Sequence, residues 1–488
     1  MIAVVTLMAV SCSDNKPELL KQVPADTDLV ALIDAQAILE SAGFVAGDGS
    51  LQVPQYVADK LSDSQMKDLA EAAALECVDA KAVVIAYNYS DPSPVAFFTL
   101  KSREEFVKYL SVRKYDEMSA EDGYTLYGDA GGSRVVVGQN QAYIYDGVRN
   151  PVFMPITEVK GMLSSAAKSD ITSTPAGKKI GGHTVSMLAA IPSASQLGLS
   201  NMTIPGMPEG SMFLLHADLT GTELKAESAC LDSDGKMLMM DDVVSGGFST
   251  VDSEALKYLT ADESLVMAFS LKGVDWDRVM ELAGAGLSRS ERASLVMIQP
   301  YLNAIDGTVA VGAGFADGMT SVSKIINGNG SESLSGLSFT ALVQLKEERA
   351  ADQLMQLKGL AQLSGMSMTN TDSGFSLALD QSNTIYVEEH DGMIIVANHP
   401  LHRSGANRTV AALPWGSYTG AIGLVLDKSD KIVSDLRMDY ELSVELSGSK
   451  DGKSILVYTL KGGDAKGLIE RTAKCCMEAS DAVDRWLK

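Results

Sequence analysis

The densest group of side chains able to bind a metal or move a proton is Glu388-Glu389-His390-Asp391, with His399 and His402 following in Asn398-His399-Pro400-Leu401-His402. Carboxylate and imidazole donors of this kind suit a divalent cation. Alternation along a strand, however, puts Glu388 and Glu389 on opposite faces, so the segment reads better as a solvated hairpin tip turning at Asp391-Gly392. Gly448-Ser449-Lys450-Asp451-Gly452-Lys453-Ser454 has the residues of a phosphate loop. It is one residue short between its glycines and lies between two strands, with no helix start to receive a phosphate. Asp232-Ser233-Asp234-Gly235 lacks the third acidic position and terminal Glu of a calcium loop and reads as a turn. His183 and His216 stand alone in the sequence, and Asp241-Asp242 reads as an acidic turn rather than an acid/base pair. No Gly-x-Ser-x-Gly elbow, His-Glu-x-x-His helix, Cys-x-x-Cys pair or Gly-x-Gly-x-x-Gly loop occurs. The expectation is therefore no catalytic residue, no metal site and no cofactor.

One cysteine has a chemical reading of its own. Met1 to Ser11 is uncharged and mostly apolar, too short to span a bilayer but suited to a secretory signal. It ends in Ala9-Val10-Ser11-Cys12, which resembles a bacterial lipobox, in which the thiol of the cysteine after the cleavage point carries the lipid. On that reading residues 1–11 are a lipoprotein signal peptide, Cys12 is the lipidation site, and residues 12–22 form a polar tether. The protein would then be anchored to the membrane through Cys12 without crossing it. Cys77, Cys230, Cys475 and Cys476 remain, an even number that an oxidising envelope could bridge or leave free. Over Asp464 to Lys488, helical spacing puts Cys476 on an apolar stripe with Leu468, Ile469, Ala479, Val483 and Trp486, as a small buried hydrophobe.

Composition narrows the partners. Forty basic against 63 acidic residues give a net charge of −23, so the basic face that a nucleic acid needs is not expected. The same excess disfavours binding to anionic membrane surfaces.

The elements that would carry these residues are written twice. Pro24-Ala25-Asp26-Thr27-Asp28-Leu29-Val30 returns as Thr260-Ala261-Asp262-Glu263-Ser264-Leu265-Val266, a turn feeding a buried strand. Val95 to Lys101 followed by helical Arg103 to Leu110 matches Thr340 to Lys346 followed by Glu348 to Leu357. The hairpin from Arg134 to Ile144 matches the one from Thr384 to Ile394, and places Gly138-Gln139-Asn140-Gln141 where the second copy has its acidic tip. The strand pair Met212 to Leu231, turning at Thr220-Gly221, echoes Tyr440 to Leu460, turning at Gly448 to Gly452. Each match is slight, but their common order is not a property of chance similarity. The expected fold class is α+β: two tandem copies of a mainly antiparallel sheet unit with helices packed on one face. Residues 23–250 form the first copy and 251–488 the second, with Asp241 to Thr250 as the boundary.

A cysteine of lipobox type, a short polar tether, Val23-Pro24-Ala25-Asp26, and a strand running through Ile33-Asp34 into a helix at Ala35 to Ala42 together resemble large Bacteroidetes-type envelope lipoproteins of a domain-of-unknown-function family. The resemblance spans nearly the whole chain and implies location and architecture, with no activity or functional residue to carry over. One segment invites a binding role. Leu197 to Met212 is punctuated by Pro205, Gly206, Pro208 and Gly210, yet carries Met202, Ile204, Met207 and Met212, whose side chains suit an apolar ligand or partner, or else fold back over the core. The sequence thus reads as a non-enzymatic protein of the bacterial cell envelope, lipid-anchored at the outer membrane and periplasmic or surface-facing, acting as a binding or structural module. The alternative is an envelope hydrolase or other enzyme with its site between the copies. An enzyme should gather titratable residues of one copy around a deep pocket.

Overall fold

Runs such as Val83-Val84-Ile85 and Val95-Ala96-Phe97-Phe98 place β-branched and aromatic side chains at consecutive positions, so a strand made of them needs apolar cover on both faces. The computed structural model describes residues 16–47, 50–60, 62, 77–89, 91–145, 153–191, 207–239, 249–277, 299–300, 302–327, 335–363, 367–381, 383–403 and 405–487. The chain packs as two compact α+β units. The first draws its described residues from Met1–Ser193, Pro208–Met237 and Asp464–Lys474, and the second from Ala194–Met207, Leu238–Gly463 and Cys475–Lys488. The division is not one cut, because Asp464–Lys474 belongs with the first unit. Most of the expected boundary, residues 241–248, lies outside the described residues, as do Cys12 and the tether up to residue 15.

The first unit contains β1 (Leu29–Ile33), the small hairpin β2 (Val45–Gly47) and β3 (Ser50–Gln52), β4 (Val78–Asn88), β5 (Asp91–Leu100), β6 (Asp116–Glu121) and β7 (Tyr124–Gly128). It continues with β8 (Arg134–Val137), β9 (Gln141–Tyr145), β10 (Val185–Ala190), β11 (Met212–Leu219) and β12 (Glu223–Leu231). Apart from the β2–β3 hairpin, its strands lie in the order β12-β11-β10-β1-β4-β5-β9-β8-β7-β6, with every neighbour antiparallel.

The second unit contains β13 (Leu265–Ser270), β14 (Ile305–Gly314), β15 (Ser338–Leu345), β16 (Ser367–Asn370) and β17 (Gly374–Ala378). After these come β18 (Thr384–His390), β19 (Met393–Ala397), β20 (Gly420–Leu426), β21 (Tyr440–Gly448) and β22 (Lys453–Gly462). Their order is β22-β21-β20-β13-β14-β15-β19-β18-β17-β16, again all antiparallel. Numbered from β1 and from β13, and leaving aside the β2–β3 hairpin, the two orders are the same. The four sequence matches fall on β1/β13, β5/β15, β8–β9/β18–β19 and β11–β12/β21–β22.

Helices cover both faces of each sheet rather than one, as the continuous apolar strands require. In the first unit, Phe98, Val135 and Ile144 pack with Leu39 and with Phe106 and Leu110 of the helix Arg103–Val112. The alternate residues Phe97, Val136 and Tyr143 pack with Ile156 and Val159 of the helix Pro155–Ala166. The second unit repeats the division. Ile395 joins Trp415, Leu256 and Leu259 on one face, and Ile394 joins Ala350 and Ala361 of the helix Glu347–Leu363 on the other. The helix Ala35–Ser41 starts where expected, because the Asp34 side chain accepts from Ala37 N–H at 3.0 Å. Among the described residues no helix is long and apolar enough to cross a membrane.

The C-terminal helix Leu468–Leu487 corrects the expected stripe by about one residue. Leu468, Arg471 and Ala482 are its buried positions, while Cys475 is half-buried and Cys476 is exposed. Arg471 is buried together with its guanidinium, which donates to Ala465 O, and this turns the buried face away from the Ile469–Cys476–Val483 line.

Candidate functional site

The acidic tip after β18 is a tight hairpin turn. Asp391 and Gly392 both have positive φ, 53° and 76°, the conformation of a two-residue hairpin turn, in which Gly is the residue without a steric penalty. Glu388 and His390 lie two apart on one face and bond to each other, Nε2 to Oε2 at 2.8 Å, while Ser373 Oγ donates to the same Glu388 oxygen at 3.0 Å. Glu389 points elsewhere and accepts from Gly392 N–H at 3.0 Å. Tyr258 stacks on His390 with ring centroids 5.5 Å apart. His399 does not join this group, and no set of three metal-ligating side chains occurs among the described residues.

His399 instead reaches a residue that no motif singles out. Glu263, in the turn before β13, is fully buried. Its Oε1 accepts from Thr340 Oγ1 at 2.7 Å and lies 3.1 Å from His399 Nε2, and its Oε2 accepts from Thr260 N–H at 2.9 Å. The hydrogen bond to Glu263 raises the His399 pKa above its ordinary value, against the opposing effect of burial. Thr, His and Glu have the composition of a nucleophile, base and acid, but the geometry is wrong for that work. In a working triad the imidazole bridges the other two through opposite ring nitrogens. Here Nε2 faces both Glu263 and Thr340, at 3.1 and 3.0 Å, Nδ1 is 3.2 Å from Pro400 O, and the Thr340 proton is already given to the carboxylate. This is a buried network whose polar atoms satisfy one another.

The corresponding place in the first unit is open. Strand register aligns the row Val30–Ala86–Val95–Tyr145 with Val266–Gly312–Thr340–Ala397. Thr27 stands three residues before Val30, as Glu263 does before Val266. Thr27, Ala86, Val95 and Tyr145 line a cavity of about 230 Å³, together with Tyr87, Asn88 and, from the helix Pro155–Ala166 and the turn before β1, Glu158, Met162 and Asp26. In the second unit the Glu263 carboxylate sits against Gly312, where a Cβ would lie 2.6 Å from Oε2. A Gly at 312 and a Glu at 263 therefore go together, as Ala86 and Thr27 do.

His183 and His216 are not isolated in space. Strand register brings β10 beside β11, and the rings stack with centroids 4.2 Å apart. His183 Nδ1 is 2.8 Å from Asp218 Oδ2 and His216 Nε2 is 2.9 Å from Lys179 O. Burial and the neighbouring His183 lower the His216 pKa. Parallel rings cannot both direct a lone pair at one metal ion. Arg408 bridges Asp427 and Asp430 at 2.6 and 2.7 Å, and hydrogen bonds led by Ser429 hold the Asp427 pKa down at about 2.

Of the apolar loop residues, Met202 and Ile204 lie outside the described residues, and Met207 is half-buried. Met212 is not in the loop. It begins β11, opposite Leu231 and Ala190, and packs on the first unit's core.

The four described cysteines are free thiols. Burial raises Cys77 to a pKa of about 12 and Cys475 to about 11. Since the thiolate is the nucleophile, Cys476 will react first with iodoacetamide at neutral pH and Cys77 will stay unmodified until the protein unfolds. Peptide mass spectrometry after timed alkylation reads the order, and early labelling of Cys77 would contradict its burial.

No protein-family model and no curated protein matches the chain. Among solved structures it is similar to crystal form IV of TP0453, with 14% identity and a TM-score of 0.28 over 43% of this chain and 79% of that one. Crystal form III of TP0453 gives 13% identity and a TM-score of 0.29 over 45% and 81%. A likeness of this degree fixes neither fold nor function.

Proposed function

We propose that the protein is a non-enzymatic, lipid-anchored protein of the bacterial cell envelope, built from two copies of one unit and acting as a binding module whose ligand enters the first unit's cavity. The observation that carries this reading is the contrast between equivalent places. The second unit fills its place with Glu263, Thr340 and His399, whose polar atoms are spent on one another, whereas the first leaves a cavity of about 230 Å³. The wall of this cavity mixes apolar groups such as Val95 and Met162 with polar ones, Asp26, Thr27, Asn88 and Glu158, that could fix a ligand's orientation. The anchor rests on the apolar run before Cys12 and its small preceding residues.

One preparation tests both halves. The full chain, taken from its own membranes in detergent, is expected to carry an acyl mass on the Cys12 peptide and to release a small molecule on denaturation. Gly161→Leu, which projects a side chain toward the cavity, is expected to keep the acyl mass and lose the small molecule. An unmodified Cys12 peptide would reject the anchor, and equal recovery of the small molecule from both proteins would reject the cavity as its site.

A further inference from the structure

We infer that the first unit's cavity takes a small organic cation, a protonated amine carried on an apolar or aromatic body; this rests on the cavity being the binding site. Its charged lining is of one sign. Asp26 and Glu158, both exposed, contribute carboxylates at its mouth, and no lysine, arginine or histidine lines it among the described residues. Tyr87 and Tyr145 supply ring surface, and aromatic faces attract cations through their quadrupole. Part of the polar wall is left open. Asn88 Oδ1 accepts from Asp28 N–H at 3.0 Å, but the Thr27 hydroxyl has no hydrogen bond among the described residues and, on a residue only 5% exposed, opens on the cavity.

Gly161 is the independent observation. It lies inside the helix Pro155–Ala166, where glycine is the poorest helix former apart from proline. A Cβ there would meet nothing within 4 Å, so packing does not require the glycine. Its effect is to keep the helix face over the cavity bare. Engineered cavities of about 150 Å³ accept benzene. A volume of about 230 Å³ therefore has room for one ring and an aminomethyl group.

Benzylamine, benzyl alcohol and benzoate share that body and differ in charge, so calorimetric titration of the full chain with each separates charge from shape. Benzylamine is expected to bind about tenfold more tightly than benzyl alcohol, with benzoate weakest. Glu158→Gln and Asp26→Asn should each weaken benzylamine several-fold and leave benzyl alcohol unchanged. Gly161→Leu should abolish binding while its melting temperature holds or rises, which shows that it is folded. Equal binding of the three probes, or of none, overturns the cation assignment. Equal binding that Gly161→Leu removes leaves the cavity standing as a binding site, whereas benzylamine binding that survives Gly161→Leu overturns both.

Discussion

His399→Ala will destabilise the second unit by about 3 kcal/mol near pH 5.5, and by clearly less near pH 9. The cost follows from what the imidazole leaves behind. Glu263 is fully buried, and its remaining partners are the Thr340 hydroxyl and the Thr260 N–H, both neutral. A buried carboxylate without a cation in such a place is desolvated with little return. The direction with pH comes from His399 itself. Its folded-state pKa is raised, principally by the hydrogen bond to Glu263. A raised basic pKa gives stability that is fully present below the unfolded value and is lost as pH rises through the folded value. Wild type therefore sheds this contribution on the alkaline side of pH 6.5. The variant has no imidazole there whose contribution could be shed, so the two unfolding curves draw together. Denaturant unfolding of both proteins at the two pH values gives the comparison. A loss of equal size at both would mean that His399 acts only by filling space.

Much of the frame that holds these groups is legible in the chain, for reasons that are local. Val95 to Leu100 and Arg134 to Val137 are strands because β-branched and aromatic side chains dominate them, and Thr220-Gly221 and Asp391-Gly392 are turns by residue type. The four ordered similarities fall on matching positions of the two strand orders, and they lie in turns and apolar runs rather than in identities. What could not be read was convergence. His399 and Glu263 are 136 residues apart, and only the pairing of β15 with β19 on one side and β14 on the other brings them to Thr340. The exchange of Thr27 for Glu263 stands in the aligned turns, but without the strand row nothing says that the position is buried. His183 and His216 likewise meet only through the pairing of β10 with β11. The misplaced face of the C-terminal helix has a different cause. Stripes one residue apart differ by about 100° on a helix. The sequence pattern counted Cys476 as core, whereas the fold leaves it exposed and buries Arg471.

Gly312→Ala will cost the second unit about 3 kcal/mol, and the double variant Glu263→Thr/Gly312→Ala will recover most of that loss. The new methyl would stand 2.6 Å from Glu263 Oε2 and 3.0 Å from Leu259 Cδ2. Leu259 is itself fully buried, so the methyl cannot be accommodated on that side. The carboxylate must move instead, and any movement lengthens its bonds to Thr260 N–H, Thr340 and His399 together. The penalty is thus the loss of a buried charge's partners, added to the overlap. Shortening Glu263 to Thr removes both, because it gives the second unit the pair that the first unit carries at Thr27 and Ala86. The reciprocal change, Ala86→Gly, meets no such constraint and should cost about 1 kcal/mol for the added chain freedom in the strand. Thermal unfolding of these three variants and of Glu263→Thr alone beside wild type decides the matter. If the double variant is as unstable as the sum of its single changes, Glu263 and Gly312 are not coupled, and the equivalence drawn between this buried network and the first unit's cavity fails with them.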